Sequence, residues 1–352
     1  MAVTRLFQAG AEIQHVNEVD VNTGIGGNAS PVVSSTKAKT GTYSFSTTNG
    51  YPFGKNITST TQIRAGAFIN HNDVLSTNSR AAILGVLTNA ATPFCRVQWN
   101  GSGAPAIELI VNNVSVATVA VTSSGMASLN TWYHCAITYK ASATVGFFSF
   151  YVDGVQKLTW SGNTATAITG VYMGGGLGVG NAGWGSTAYF DDFYCDDTVA
   201  EADAAPTSPR FPFLIENGAG NYTNWGVNTG TNTAALDDGV PDDDTTYTYA
   251  TASGVKDSFA LTNTTAGVTV PAGYSIEAVI PIAWAKKTDA GTASTLKVGT
   301  RLSATDLVGS AQTLATSYGP VWERQTTKPG GGAWTEANID AAEIYLESAG
   351  SY

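Results

Sequence analysis

Apolar and polar residues alternate along this chain with a period of two, in short runs broken by Gly, Asn, Asp and Ser. Alternation places successive side chains on opposite faces of an extended backbone, so each run reads as a half-buried strand. Before residue 200 such runs fall at 62–70, 82–88, 94–99, 106–111, 114–121, 132–139, 146–152, 155–160 and 188–194. The strongest local signal is Asp153-Gly154, which joins 146–152 to 155–160. Tight primed hairpin turns need positive φ at both central positions, and Asp-Gly supplies it. Asn112-Asn113 joins 106–111 to 114–121 in the same way. Short strands with turn chemistry between them predict an all-β sandwich, not a parallel sheet with crossover helices.

The pattern pauses at 201–212, where Pro206, Pro209 and Pro212 oppose both helix and ladder. The chain therefore divides into 1–205, a Pro-rich linker at 206–212, and 213–352. In the last part, 275–287 reads as a strand interrupted at Pro281, hence an edge or a bulge. Further strands are expected at 294–301 and 343–346, and one helical turn at 335–342 with Thr335 as its N-cap.

Composition supports this picture. Charged residues make up 12% of the 352, too few for long amphipathic helices, while 39 Gly suit turns. Eight Trp, 15 Tyr and 13 Phe give enough apolar area for two cores. The net charge is −10, with the larger acid excess after residue 205. No basic stripe is present to neutralise phosphates, which argues against nucleic acid and against an anionic membrane surface as partners. Residues 1–8 lack the apolar run of a secretory leader, so the expectation is assembly in a cytoplasm and release by another route, such as lysis. The widely spaced Cys95, Cys135 and Cys195 read as small buried apolar residues. A Cys95–Cys135 or Cys135–Cys195 disulfide stays open at this point.

Four motifs in order carry a family resemblance. They are Gly41-Thr42-Tyr43-Ser44-Phe45-Ser46, then Trp132-Tyr133-His134, then Tyr151-Val152-Asp153-Gly154, then Phe190-Asp191-Asp192-Phe193-Tyr194. Together they make residues 30–197 resemble the laminin-G-like, concanavalin A-like jelly roll. That resemblance implies a recognition module, on a fold that also hosts lectins and glucanases. Asn221–Trp225, 237–244, 256–259 and 329–335 resemble the C-terminal domains of tailed-bacteriophage virion proteins. This second resemblance implies a further β-sandwich-like domain and a non-enzymatic virion structural protein, tail-associated or capsid-decorating. Its partners would be other virion proteins, further copies of itself in a homo-oligomer, and a host-surface glycan. The alternatives are a free bacterial carbohydrate-binding or adhesion module and, third, a glycoside hydrolase.

The residues themselves offer little catalytic spacing. Glucanases resembling this jelly roll place carboxylates on an E-x-D-x-x-E strand, and glycoside hydrolysis needs two. The nearest string, Glu201-Ala202-Asp203, lacks the final Glu and falls beside the linker. His134 has no nucleophile context and reads as a packed histidine. The glycines at 178, 180 and 183 fit a dinucleotide fingerprint, but a strand-like run follows where a helix is required. No catalytic residue is expected. Trp160, Tyr172, Trp184, Trp225 and Trp334 stand near Gly-rich or turn segments and, with Asn181, are candidate glycan contacts, by stacking and polar bonding. Asp191 and Asp192 are candidate calcium ligands, as is the acidic run 237–244. No other cofactor is expected.

Overall fold

The computed structural model describes residues 5–9, 11, 32–47, 53–72, 80–89, 92–101, 105–174, 187–197, 214, 216–236, 242–261 and 275–351. Trp184, Asn181, the glycines at 178–183, the expected linker and 237–241 lie outside these residues. The chain forms two compact units, Met1–Phe211 and Pro212–Tyr352.

The first unit is a sandwich of two antiparallel sheets. The first sheet runs, in spatial order, β12 (Val155–Gly162), β11 (Gly146–Val152), β10 (Trp132–Lys140), β5 (Gln62–His71), β14 (Ala188–Asp196), β3 (Ser44–Thr47) and β2 (Val32–Ser34), with β1 (Arg5–Ala9) also paired to β14. The second runs β4 (Phe53–Thr60), β13 (Ile168–Met173), β6 (Arg80–Asn89), β7 (Thr92–Asn100), β8 (Ala106–Val111) and β9 (Val114–Ala120). A single turn of helix, α1 (Val121–Ser124), follows β9.

Alternation decides which residues meet between the sheets. Phe148, Phe150, Cys135, Ile137 and Tyr139 face inward from the first sheet; Cys95, Val97, Trp99, Ile107 and Leu109 face inward from the second. Burial of this one cluster is the main force holding the unit together. His71 is buried against it, its ring 4.8 Å from that of Trp99 and its Nε2 3.2 Å from the Met126 carbonyl. The nine runs expected in this unit all form strands whose ends lie within two residues of those expected, Val121 opening α1 instead of closing β9. The alternation did not reveal β4 and β13. All three cysteines are buried and free, so neither disulfide forms.

The second unit is built on one sheet, in the order β15 (Glu216–Thr223), β18 (Lys256–Leu261), β24 (Ala342–Ala349), β20 (Thr295–Leu302) and β21 (Thr305–Val308), with β22 (Gln312–Thr313) added to β20. Two small ladders accompany it: β16 (Gly226–Val227) with β17 (Thr248–Tyr249), and β19 (Ile282–Ala285) with β23 (Gly319–Trp322). Pro281 does interrupt the expected strand. Before it only isolated bridges form, at Ile276 and Val279, and β19 begins after it. Thr335 caps α2 (Glu336–Asp340), its hydroxyl accepting from the Asn338 N–H at 3.2 Å. Among the described residues no helix is long and apolar enough to cross a membrane.

Candidate functional site

The alternation that sends Cys95, Val97 and Trp99 into the core sends Arg96, Gln98 and Asn100 of β7 to the outer face of the second sheet. Register places Gln98 opposite Glu108 of β8, so Glu108 joins them. The four side chains form one bonded row. Arg96 Nε donates to Gln98 Oε1 at 2.9 Å, and Gln98 Nε2 donates to Glu108 Oε2 at 2.7 Å. Asn100 Nδ2 donates to the other Glu108 oxygen at 2.8 Å. Arg96 Nη1 reaches Asn113 Oδ1, in the β8–β9 turn, at 2.9 Å. The row is graded in exposure: Arg96 and Gln98 are buried, Asn100 and Glu108 half-buried, Asn113 exposed.

Tyr172 closes the buried end. It pairs with Gly85, which pairs in turn with Arg96. The ring occupies the space a side chain at 85 would need: a Cβ there would lie 2.4 Å from Tyr172 Cζ. Tyr172 is fully buried and its hydroxyl has no hydrogen-bond partner. Burial pushes its pKa up, with Arg96 pulling the other way, so the phenol stays neutral. The expected exposed sugar platform is therefore a buried wall of a polar row.

The other expected contacts fall elsewhere. Trp160 alternates with buried Leu158 on the inner side of β12, packs against the core, and lays its ring over Gly162. The ring is half-buried there. Trp225 and Trp334 pack within the second unit. His134 is buried on the outer side of the first sheet, stacked on Tyr194 at 5.9 Å and 8°. Burial, then Arg64, holds its pKa down at about 4, so it is a neutral packed ring as expected.

The candidate calcium ligands are engaged within the chain. Asp191 Oδ2 accepts from the backbone N–H groups of Lys39 and Thr40 at 2.7 and 3.1 Å, and its Oδ1 accepts from the Asp192 N–H at 2.8 Å. Asp192 takes the left-handed backbone at φ 50° and accepts from the Thr40 hydroxyl at 2.7 Å. Burial, then the Asp192 charge, raises the Asp191 pKa to about 8. These carboxylates close the turn at 39–40 onto a bulge in β14. In the acidic run, Asp244 pairs with Lys286 at 2.6 Å and Asp243 accepts from the Trp284 indole at 3.0 Å. Among the described residues no group of three or more His, Cys, Asp or Glu is placed to hold a metal ion.

Sequence reading missed Arg96, Gln98, Asn100 and Glu108. The signal was present in 94–100, where polar residues occupy every second position of a strand whose other face is Cys, Val and Trp.

Comparison with known proteins agrees with the architecture. Residues 56–197 match the family model of the concanavalin A-like lectin/glucanases superfamily. Residues 56–197 thus form a concanavalin A-like jelly-roll domain, and the described residues are nearly all β. No match was found among curated proteins. Similar solved structures include "Cellulose induced protein, Cip1", at 15% identity and a TM-score of 0.38 over 55% of this chain and 92% of that one. Another is an alginate lyase from Aplysia kurodai, at 12% identity and a TM-score of 0.37 over 55% of this chain and 98% of that one. A third is domain 4 of AbnA, an arabinanase from Geobacillus stearothermophilus, in complex with arabinotriose, at 8% identity and a TM-score of 0.36 over 56% and 94%. Likeness this distant bears on neither ligand nor activity.

Proposed function

We propose that the first unit is a non-enzymatic glycan-recognition module, with the half-open end of the row, Asn100, Glu108 and Asn113, meeting the sugar hydroxyls. The observation that carries this reading is the row itself: amide, guanidinium and carboxylate groups held in fixed geometry on a sheet's outer face by one another. Fixed donors and acceptors of this kind are what orient polyhydroxylated ligands. Arg96 and Gln98 are positioning residues, since both are buried. The row's only carboxylate has both oxygens taken by amides, and Tyr172 is held neutral. Both features favour holding a ligand over proton transfer. A glycan array probed with the full chain tests this. Binding that falls in Asn100→Ala and Glu108→Gln supports it; an array with no signal sinks it. Release of reducing ends from a polysaccharide panel would restore the glycoside-hydrolase alternative.

The finer reading rests on the sequence resemblance of the second unit. On that resemblance we propose a bacteriophage virion protein, assembled in the host cytoplasm as a homo-oligomer, bound to other virion proteins and reaching a host-surface glycan. Mass spectrometry of purified particles tests it, and absence from them leaves the free carbohydrate-binding or adhesion module.

A further inference from the structure

A second polar surface lies on the opposite side of the sandwich. The turn at Asp153-Gly154 folds β12 back along β11, and alternation sends Phe147, Ser149 and Tyr151 outward while Phe148, Phe150 and Val152 enter the core. Register sets Ser161 opposite Phe147 and Thr159 opposite Ser149. A bulge then intervenes. Phe150 pairs with Leu158 but Tyr151 with Gln156, so Lys157 is the extra residue. Bulges re-aim side chains, and this one brings the Gln156 amide beside Tyr151.

These six residues line an open groove of about 260 Å³. Two half-buried aromatic rings flank it, four residues apart on one strand, a span of about 13 Å. Hydroxyls lie between the rings: Ser149 Oγ and Thr159 Oγ1 share a hydrogen bond at 2.8 Å. Abreast of Ser149 on β10 stands Thr138. It is 7% exposed, and its hydroxyl has no partner. A buried hydroxyl without a partner costs free energy, which a ligand that bonds it would recover. Beyond Thr138, Arg64 is paired with Asp196 at 2.9 Å, while Lys140 stands abreast of Phe147 at one end of the groove.

We infer that this groove binds a neutral linear oligosaccharide lying along β11, with Phe147 and Tyr151 stacking on sugar faces and the Ser149, Thr159 and Gln156 groups bonding hydroxyls between them. None of the six lining residues is charged, which fits a neutral sugar. This site shares no residue with the row on the second sheet, so neither depends on the other.

Affinity gel electrophoresis of the full chain tests it, with a neutral β-glucan, a xylan and a galactomannan as probes. The expected result is retardation by at least one, weakened about ten-fold in Tyr151→Ala and measurably in Gln156→Ala, with melting temperatures confirming that both variants fold. Gln156 is exposed, so its variant serves if Tyr151→Ala does not fold. No retardation by any probe overturns the inference, as does equal retardation of the parent and a folded variant. Retardation lost in Asn100→Ala but kept in Tyr151→Ala and Gln156→Ala overturns the groove while leaving the other site standing.

Discussion

Asp153 and His134 are joined twice. The Asp153 N–H donates to the His134 carbonyl at 2.8 Å, and Asp153 Oδ1 accepts from the His134 N–H at 2.9 Å. Both Asp153 and Gly154 take positive φ, 48° and 78°, as a primed hairpin turn demands. Two motifs that lie 19 residues apart in sequence are thus one hydrogen-bonded unit. Asp153→Ala removes the side-chain acceptor and disfavours the left-handed backbone, and should cost about 1–2 kcal/mol. Asp153→Asn keeps an acceptor and tolerates the same backbone, so it should recover most of that loss. Denaturant unfolding of the three proteins checks the order.

Tyr172 needs Gly85. Alanine at 85 would put a methyl 2.4–2.6 Å from ring atoms. The ring must shift within a packed sheet face, so Gly85→Ala should destabilise by about 1–3 kcal/mol. Gly85→Ala combined with Tyr172→Ala should lose less than the two single changes together, because the clash is gone. A double-mutant cycle in thermal unfolding measures that coupling.

Asp257 gives the second unit a pH dependence. It is buried beneath the 225–236 segment, with Oδ2 accepting from Asn232 at 2.7 Å and Oδ1 without a partner. Burial raises its pKa to about 7. The folded protein keeps this proton up to that pH, whereas the unfolded chain releases it near pH 4. Between these values the unfolded state binds fewer protons, so this group's contribution to stability declines as pH rises from about 4 to about 7 and is flat above. Asp257→Asn should therefore stabilise by about 1–3 kcal/mol at pH 8 and change little at pH 4. Melting at the two pH values decides it; an equal effect at both would remove Asp257 from the account.

The three thiols should be silent in the native state. All are buried, and burial holds the Cys95 and Cys135 pKa values far above their usual range, so thiolate is scarce. A maleimide reagent should label none of the three in native protein and all of them in denaturant, as read by intact mass. Rapid native labelling of Cys95 or Cys135 would show that the sandwich opens.

The jelly roll was legible because its strands bury one face each. Runs such as 132–139 and 146–152 carry large apolar residues on the core side and turn residues at their ends. β4 was not legible: Lys55, Asn56, Thr58 and Ser59 offer little apolar contrast, and Gly54 lies against Val171 and Tyr172 of β13 for reasons of space that no period displays. The polar row was half legible. Its alternation can be read in 94–100, but the pairing of Gln98 with Glu108 is a register fact that alternation leaves open. The aromatic residues were misjudged because rarity in sequence does not tell which way a ring points. Trp160 turns inward while Phe147 and Tyr151, on the neighbouring strand, turn out.

The central strand of the first sheet, β5, is flanked by β10 on one side and β14 on the other. The β10–β11–β12 meander closes through short turns and can nucleate early. β14 pairs with a strand more than a hundred residues upstream, as in Tyr189 with Asn70. Closing so long a loop is the slow step in such topologies. During synthesis the β5 edge therefore waits unpaired until residue 196 has left the ribosome, and a nascent chain arrested before that point should be far more sensitive to protease than one arrested beyond it.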